Sequence, residues 1–133
     1  MSVYVRLQVG SEAYAVPVEQ VSEVAALGPV RPVPGSGPEL VGVCNLRGQI
    51  VPVVDLALLL GVARAAPPGG LLVTDVAGRR AGFAIDGVSA VCELGDPADA
   101  PSELLVGAAL AGDCLIGVLD VPCVLDVLEQ VRS

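Results

Sequence analysis

The sequence predicts an all-β protein in which one small barrel is built twice. Sixteen glycines and eleven prolines divide the 133 residues into short apolar runs, a pattern typical of barrels made of short strands. The runs consist mainly of Val, Leu, Ile and Ala, because Tyr4, Tyr14 and Phe83 are the only aromatic residues. Val and Ile are β-branched and favour strands. The order of the runs in the first half returns in the second half.

The first half is predicted to contain two hairpins and a short helix. A strand over 3–9 is indicated by alternating apolar and polar residues, and Gly10-Ser11 turns it back on itself. The Pro-rich segment 28–35 is expected to be a loop or an edge, because proline lacks the donor that a sheet needs. Asp55 is expected to cap a helix over 56–60. The strands predicted for this half are 3–9, 13–17, 24–27, 40–46 and 50–54, with turns at 10–11 and 47–49.

The second half follows the same plan after a linker over 63–70, which contains Pro67-Pro68-Gly69-Gly70. Asp120 is expected to open a C-terminal helix over 121–131. The strands predicted for this half are 71–76, 81–85, 105–111 and 114–119, with turns at 78–79 and 112–113.

The repeat can be aligned without gaps over two stretches. Residues 14–28 align with 81–95 at an offset of 67, and residues 41–60 align with 106–125 at an offset of 65. A sequence rich in Val, Leu and Gly can produce such matches by composition alone. Glycines and aspartates that align at matching structural roles favour a true repeat; they are Gly28 with Gly95, Gly42 with Gly107 and Asp55 with Asp120.

Positions at which the two copies differ are candidates for function, because residues that folding requires should occur in both. Glu23 aligns with Ala90, and Arg47 aligns with Gly112. A guanidinium at a tight turn can form a bidentate pair with a carboxylate on a neighbouring segment. We therefore expect Glu23 and Arg47 to act together in binding a partner, although an ordinary surface salt bridge would give the same pattern.

The charge of the chain excludes several partners. The net charge is −8, with seven arginines, no lysine and no histidine, whereas nucleic acids and anionic membranes require a cationic surface. The second half is the more acidic, which would steer a basic partner or simply keep an apolar protein in solution. We expect no direct insertion into a membrane, since Asp55 interrupts the longest apolar stretch, and the first residues lack the features of a signal peptide.

The sequence indicates neither a metal site nor an enzyme. Cys44, Cys92, Cys114 and Cys123 have no C-x-x-C spacing and no histidine beside them, so we interpret them as packing residues. A histidine base, a G-x-x-x-x-G-K phosphate loop and a G-x-S-x-G elbow are all missing from the sequence. A small-molecule site between the barrels is an alternative, but barrels of this size are usually filled by side chains.

Three segments resemble the CheW family of chemotaxis coupling proteins. The most specific is VGVCNLRGQIVPVVDL (41–56), in which an N-L-R-G turn precedes a proline-containing strand that ends in Asp-Leu. The segment YAVPVEQVSEV (14–24) is similar to the family's first hairpin and its exit. The segment GFAIDGV (82–88) is similar to the counterpart in the second repeat.

The resemblance implies two five-stranded, SH3-like barrels packed side by side, with short helices that include one at the C-terminus. It places a single CheW-like domain over 1–133, with a first sub-barrel over 1–62, a linker over 63–70, and a second sub-barrel and helix over 71–133. It also implies that the protein needs no cofactor, metal ion or catalytic group.

The resemblance further implies a chemosensory scaffold in the cytoplasm, recruited to receptor arrays. Such a scaffold binds the regulatory domain of a CheA-type histidine kinase by barrel-to-barrel contacts, and the cytoplasmic hairpin tip of a methyl-accepting chemoreceptor in an apolar groove between the barrels. A CheW-like adaptor in twitching, gliding or transcriptional control is the alternative.

The resemblance also selects the residues for partner binding. The arginine of the N-L-R-G turn and an upstream glutamate are linked to receptor coupling in the family, and they match Arg47 and Glu23. Val21 and Gly42 match family positions near the groove. The predicted partner-binding residues are Val21, Glu23, Gly42, Asn45, Arg47 and Gly48.

Overall fold

A computed structural model of the chain describes residues 2–35, 40–64, 66–99 and 102–132, with side chains up to Leu128. These residues form ten strands, two α-helices and one 3-10 turn. The strands are β1 Ser2–Val9, β2 Glu12–Pro17, β3 Val21–Ala26, β4 Leu40–Leu46, β5 Gln49–Asp55, β6 Gly70–Val76, β7 Arg79–Ile85, β8 Gly87–Leu94, β9 Leu105–Ala111 and β10 Cys114–Leu119. The helices are α1 Leu56–Leu60 and α2 Val121–Arg132, and the 3-10 turn is Val18–Gln20.

The strands of the described residues form two five-stranded sheets. We name the sheet with the order β3-β6-β7-β5-β4 barrel 1, and the sheet with the order β8-β1-β2-β10-β9 barrel 2. In barrel 1, the segment after β3 pairs with the opposite edge strand β4 through Arg31 and Val43, which closes the sheet. Ala98 and Ala108 make the equivalent bridge in barrel 2. The expected fold of two five-stranded barrels with short helices is confirmed.

The division into sub-barrels over 1–62 and 71–133 is wrong for the sheets. Barrel 1 takes β6 and β7 from the second half, and barrel 2 takes β1 and β2 from the first half. The exchange depends on two parallel contacts, β5 with β7 and β10 with β2. The predicted linker is also shorter than expected, because Gly70 already belongs to β6; its residue 65 lies outside the described part of the chain.

The exchange is reciprocal, and it preserves the repeat seen in the sequence. Val53 lies beside Gly82 in barrel 1, and the residues aligned with them, Val118 and Ala15, lie beside each other in barrel 2. The bridge between Arg31 and Val43 likewise corresponds to the bridge between Ala98 and Ala108 at the same two offsets. The two barrels therefore share strand order, register and closure.

Three clusters of buried apolar residues hold the molecule together. The largest lies between the sheets and joins residues such as Val5, Leu7 and Val16 of barrel 2 to Leu72 and Phe83 of barrel 1. The other two lie inside the barrels. Ile116 and Val118 belong to the cluster of barrel 2, and Val51 and Val53 to that of barrel 1. Burial of this apolar surface is the main force that stabilises the fold.

The two helices begin at the aspartates that align in the repeat. The Asp55 side chain accepts a hydrogen bond from the Leu58 backbone N–H at 3.2 Å, and Asp120 accepts one from Cys123 at 3.1 Å. Both are N-cap contacts, as expected from the sequence. Neither helix is long and apolar enough to cross a bilayer, as judged over the described residues.

Candidate functional site

All six residues predicted to bind partners lie in barrel 1. Val21 and Glu23 lie on β3, Gly42 and Asn45 lie on β4, and the turn after β4 contains Arg47 and Gly48. The strands β3 and β4 are the two edges of the sheet. We call the surface formed by β3, β4 and the β4–β5 turn the seam.

The turn at the tip of β4 has a backbone that few residues adopt. Arg47 and Gly48 both have positive φ angles, 53° and 82°, as in the two-residue type I′ turn. The Asn45 side chain accepts a hydrogen bond from the Gly48 N–H at 2.9 Å. The β6–β7 turn repeats this arrangement. There Asp75 takes the position of Asn45, Ala77 that of Arg47, and Gly78 that of Gly48. Asn45 and Gly48 are therefore explained by the turn, whereas the arginine side chain is not.

Arg47 and Glu23 form an ion pair, as the sequence comparison predicted, but through one nitrogen–oxygen contact and not the bidentate geometry that was expected. Arg47 Nη2 lies 3.2 Å from Glu23 Oε2. The glutamate side chain is 19% exposed and the arginine side chain is 80% exposed, so the pair has a sheltered carboxylate and a guanidinium open to solvent. It connects one edge of the sheet to the turn beyond the other edge. Such an exposed pair contributes little to stability, about 0–1 kcal/mol.

Exposed apolar side chains also occur on the strands of barrel 1 that carry or flank this pair. Ile50, which lies opposite Asn45 in the β4–β5 hairpin, is 65% exposed. Val24 follows Glu23 on β3, and Val41 lies at the start of β4; both are also exposed. Exposed apolar residues together with a charged pair are typical of a protein-binding surface.

Gly42 and Val21 have roles in the fold. Gly42 has a φ of 155°, and a Cβ at this position would overlap the carbonyl oxygen of Arg31. Its counterpart Gly107 lies against the carbonyl oxygen of Ala98 in the same way. Gly42 thus allows the close strand contact that closes the barrel. Val21 packs against the core between the barrels.

At the positions equivalent to the seam, barrel 2 has a turn of the same length but with a different backbone, because Asp113 lacks the positive φ of Gly48, and it has different side chains. Ala90 of β8 and Gly112 of the β9–β10 turn occupy the positions of Glu23 and Arg47. Gly112 has a φ of 62° and begins a turn of the same length. Barrel 2 closes with this turn, so barrel closure does not require an arginine and a glutamate at these positions.

A second charged cluster escaped the sequence interpretation. Arg64 Nη1 lies 3.1 Å from both carboxylate oxygens of Asp55, and Arg64 Nε lies 3.3 Å from Asp86 Oδ1. Asp86 also accepts a hydrogen bond from the Gly10 N–H at 2.8 Å. The cluster ties the segment after α1 to the junction where the chain passes from β7 in barrel 1 to β8 in barrel 2. The only signal in the sequence was a single arginine after the helix.

The cysteines of the described residues do not form a metal centre. No group of three or more Cys, His, Asp or Glu side chains within this part of the chain has the geometry to hold a metal ion. Cys44 is buried in the core of barrel 1, and burial raises the pKa of its thiol. A hydrogen bond to Asp120 is the main cause that raises the pKa of the Cys123 thiol, followed by burial. Both shifts favour the protonated, unreactive thiol.

The duplicated barrels match a known domain. The model of the CheW-like domain matches residues 3–129, which is nearly the whole chain. The chain belongs to this family. The resemblance expected from the N-L-R-G turn and its flanking segments is thereby confirmed.

Curated CheW proteins are similar to the chain over most of its length. The chemotaxis protein CheW of Rhizobium meliloti (strain 1021) is 31% identical over 94 residues, which cover 69% of this chain and 61% of that protein. The chemotaxis protein CheW of Treponema pallidum (strain Nichols) is 26% identical over 110 residues, 77% of this chain and 65% of that protein. The match thus spans about three fifths of the length of the Rhizobium meliloti relative.

A solved CheW structure has the same fold. The scaffolding protein TtCheW from Thermoanaerobacter tengcongensis superposes with a TM-score of 0.79 at 23% identity, covering 90% of this chain and 88% of that one. This likeness confirms the paired-barrel fold.

Proposed function

We propose that the chain is a non-catalytic scaffold that couples a CheA-type histidine kinase to the signalling tips of chemoreceptors. Membership of the CheW-like domain family supports the proposal. So do the names of its relatives, which describe chemotaxis proteins and a scaffolding protein. In this proposal the protein acts in the cytoplasm and is recruited to receptor arrays through its partners.

The ion pair between Glu23 and Arg47 is the observation that carries the proposal. Barrel 2 closes without it, and its exposure gives it little value for stability. We therefore assign its role to recognition. Glu23 holds the guanidinium at the tip of the β4–β5 hairpin, which also exposes Ile50, so that a partner meets one oriented cation on a surface with apolar side chains. A guanidinium held in this way can still donate hydrogen bonds to a partner.

A scaffold of this kind needs no strong individual contact. Two modest interfaces that are engaged together in an array multiply their effects, because each bound partner raises the local concentration of the other. Loss of one oriented side chain should therefore weaken assembly more than it weakens a single pairwise contact.

The decisive experiment is cosedimentation of the chain with a receptor signalling fragment and a CheA-type kinase, using an Arg47→Ala variant. Ala77 occupies the same position in the β6–β7 turn, so alanine fits this backbone. We expect the amount of chain in the pellet to fall at least about fivefold, while the melting temperature changes by no more than about 2 °C.

The matched control is Asp113→Ala, an exposed residue in the β9–β10 turn of barrel 2. It should sediment like the parent chain. Equal sedimentation of the Arg47→Ala variant and the parent would remove the seam from the proposal. Failure of the parent chain to bind both the kinase and the receptor fragment would overturn the scaffold function itself.

A further inference from the structure

A cleft lies on barrel 2, away from the seam. Its volume is about 880 Å³. Small residues of β2, β9 and β10 line part of it, together with acidic residues and two exposed leucines. The lining residues include Glu12, Ala13, Asp96, Asp99, Leu110, Leu115 and Gly117.

The repeat allows this cleft to be compared with the same place on barrel 1. A cavity of about 170 Å³ lies there, lined by residues that include Pro52, Arg79 and Arg80. Leu125 and Leu128 of α2 also line this cavity. The chain's own C-terminal helix therefore supplies one wall of the site on barrel 1.

Among the described residues, no helix supplies the corresponding wall on barrel 2. The positions aligned with Leu125 and Leu128 are Leu60 and Ala63. However, α1 ends at Leu60, because the next residue, Gly61, adopts a left-handed conformation. No residue of 56–64 is among those that line the cleft of barrel 2. Two of the strand positions are also smaller in barrel 2, where Ala13 and Gly117 align with Arg80 and Pro52, although Tyr14 aligns with the smaller Ala81. The cleft on barrel 2 is thus the helix-covered site of barrel 1 with its helix missing.

The charges at the two sites are opposite. On barrel 1, Arg79 at the start of β7 forms an ion pair with Asp126 of α2, at 3.0 Å. On barrel 2, the first residue of β2 is Glu12, which aligns with Arg79. Asp96 and Asp99 add two more exposed carboxylates to the rim, where barrel 1 has prolines. A helix that binds this cleft therefore needs a base where α2 has Asp126.

The cleft also exposes two large apolar side chains. Leu110 and Leu115 lie opposite each other in the β9–β10 hairpin and are 69% and 64% exposed. On barrel 1, Leu110 aligns with the polar residue Asn45, and Leu115 aligns with Ile50. Apolar floor, exposed leucines and an acidic rim together match an amphipathic, basic partner helix.

We propose that the cleft on barrel 2 binds a partner helix that is a charge-reversed counterpart of α2. This helix presents two leucine-like side chains three residues apart and a lysine or arginine directly after the first of them. The spacing copies Leu125, Asp126 and Leu128. The proposal goes beyond the coupling function above, since it concerns a different barrel and does not use Glu23 or Arg47.

Two synthetic peptides with the sequence of residues 121–132 provide the test. Both carry Cys123→Ala to prevent oxidation, and one also carries Asp126→Arg. Binding of each labelled peptide to the full chain is measured by fluorescence anisotropy. Isolated helices of twelve residues are marginal in water, so the ratio of the two affinities is the relevant quantity. We expect the Asp126→Arg peptide to bind at least about fivefold more tightly.

A charge swap on the protein sharpens the test. The Glu12→Arg variant gives β2 the residue that starts β7 in barrel 1, and it should reverse the preference in favour of the peptide that keeps Asp126. A general attraction between a basic peptide and an acidic protein would instead leave the preference unchanged. That result would overturn the proposal.

Two leucine variants locate the site. Leu110→Gln removes apolar surface from the cleft. Leu58→Gln makes the same change at another exposed leucine, which lies on α1 outside the cleft. Binding should weaken at least about fivefold in the first variant and stay unchanged in the second. Equal effects of both variants, or no binding at peptide concentrations up to about 1 mM, would overturn the proposal. None of these measurements depends on the kinase or the receptor, so the coupling function can fail or hold independently.

Discussion

The two barrels have the same backbone plan but different surfaces. They share strand order, register, bridge and helix cap, down to Gly42 and Gly107 at equivalent contacts. They differ at the seam, where barrel 1 has Glu23 and Arg47. They also differ at the cleft, which is open and acidic on barrel 2, whereas α2 lines the equivalent cavity on barrel 1. The comparison teaches that symmetric residues serve the fold, and that asymmetric ones are candidates for recognition.

The largest effect expected from this comparison concerns its symmetric glycines. Gly42→Ala should lower the free energy of unfolding by about 3 kcal/mol, because its Cβ would overlap the Arg31 carbonyl and its φ of 155° is strained for alanine. Gly107→Ala should cost about 2 kcal/mol, from the overlap alone. Urea denaturation of both variants measures the difference. A neutral effect of either change would mean that closure is not shared by the barrels.

The helix caps should show a smaller, unequal effect. Asp120→Ala removes a cap and should lower the free energy of unfolding by about 1 kcal/mol. Asp55→Ala removes the same kind of cap and also a partner of the largely buried Arg64, so about 2 kcal/mol should be lost. The same denaturation experiment compares them. Equal losses would show that the Arg64 cluster adds nothing to the capping role of Asp55.

Tyr14 offers a test that depends on pH. Its hydroxyl donates a hydrogen bond of 2.6 Å to Glu12, whereas the aligned residue of barrel 1 is Ala81. Burial, and then this hydrogen bond, raise the pKa of Tyr14 well above its ordinary value. Ionisation therefore favours the unfolded chain, so stability should fall as the pH rises above about 10.

The Tyr14→Phe variant separates the two contributions of this hydroxyl. It should cost about 1 kcal/mol at neutral pH through the lost hydrogen bond, and its stability should fall less between about pH 10 and 11. Urea denaturation at a series of pH values gives both quantities. Parallel pH curves for the variant and the parent would contradict this account of Tyr14.

The smallest expected effect on stability is at the seam itself. Arg47→Ala should change the free energy of unfolding by less than about 1 kcal/mol, because the guanidinium is mostly in solvent and the turn accepts alanine. Thermal and urea denaturation measure it. A loss above about 2 kcal/mol would assign the ion pair to barrel closure and remove the distinction between fold and recognition at this position.

Much of this molecule could be predicted from the sequence, because its signals are local. Short apolar runs between glycines gave every strand except β8, for which no bounds were predicted, and the aligned Asp55 and Asp120 gave both helix caps. The ion pair of Glu23 and Arg47 was found by asking which residues the second copy lacks. That comparison used only the sequence, yet it identified two side chains that meet across the barrel.

The exchange of hairpins could not be predicted, because the two halves carry equivalent strands. β2 can pair in parallel with β5 of its own half or with β10 of the other, and the repeat makes the local patterns of these alternatives alike. The cleft on barrel 2 could not be predicted either, since it exists because α1 does not cover that surface of the barrel. A helix that ends early leaves no motif, and only the relation between distant segments reveals the gap.

The reciprocal exchange has a consequence for any attempt to split the protein. A cut between α1 and β6 leaves two pieces, each holding two strands of one barrel and three of the other. Neither piece should be stable alone, but mixing them should reconstitute the whole molecule, because each supplies the hairpin that the other lacks. Because each half of the chain contributes strands to both barrels, we expect the two barrels to unfold together.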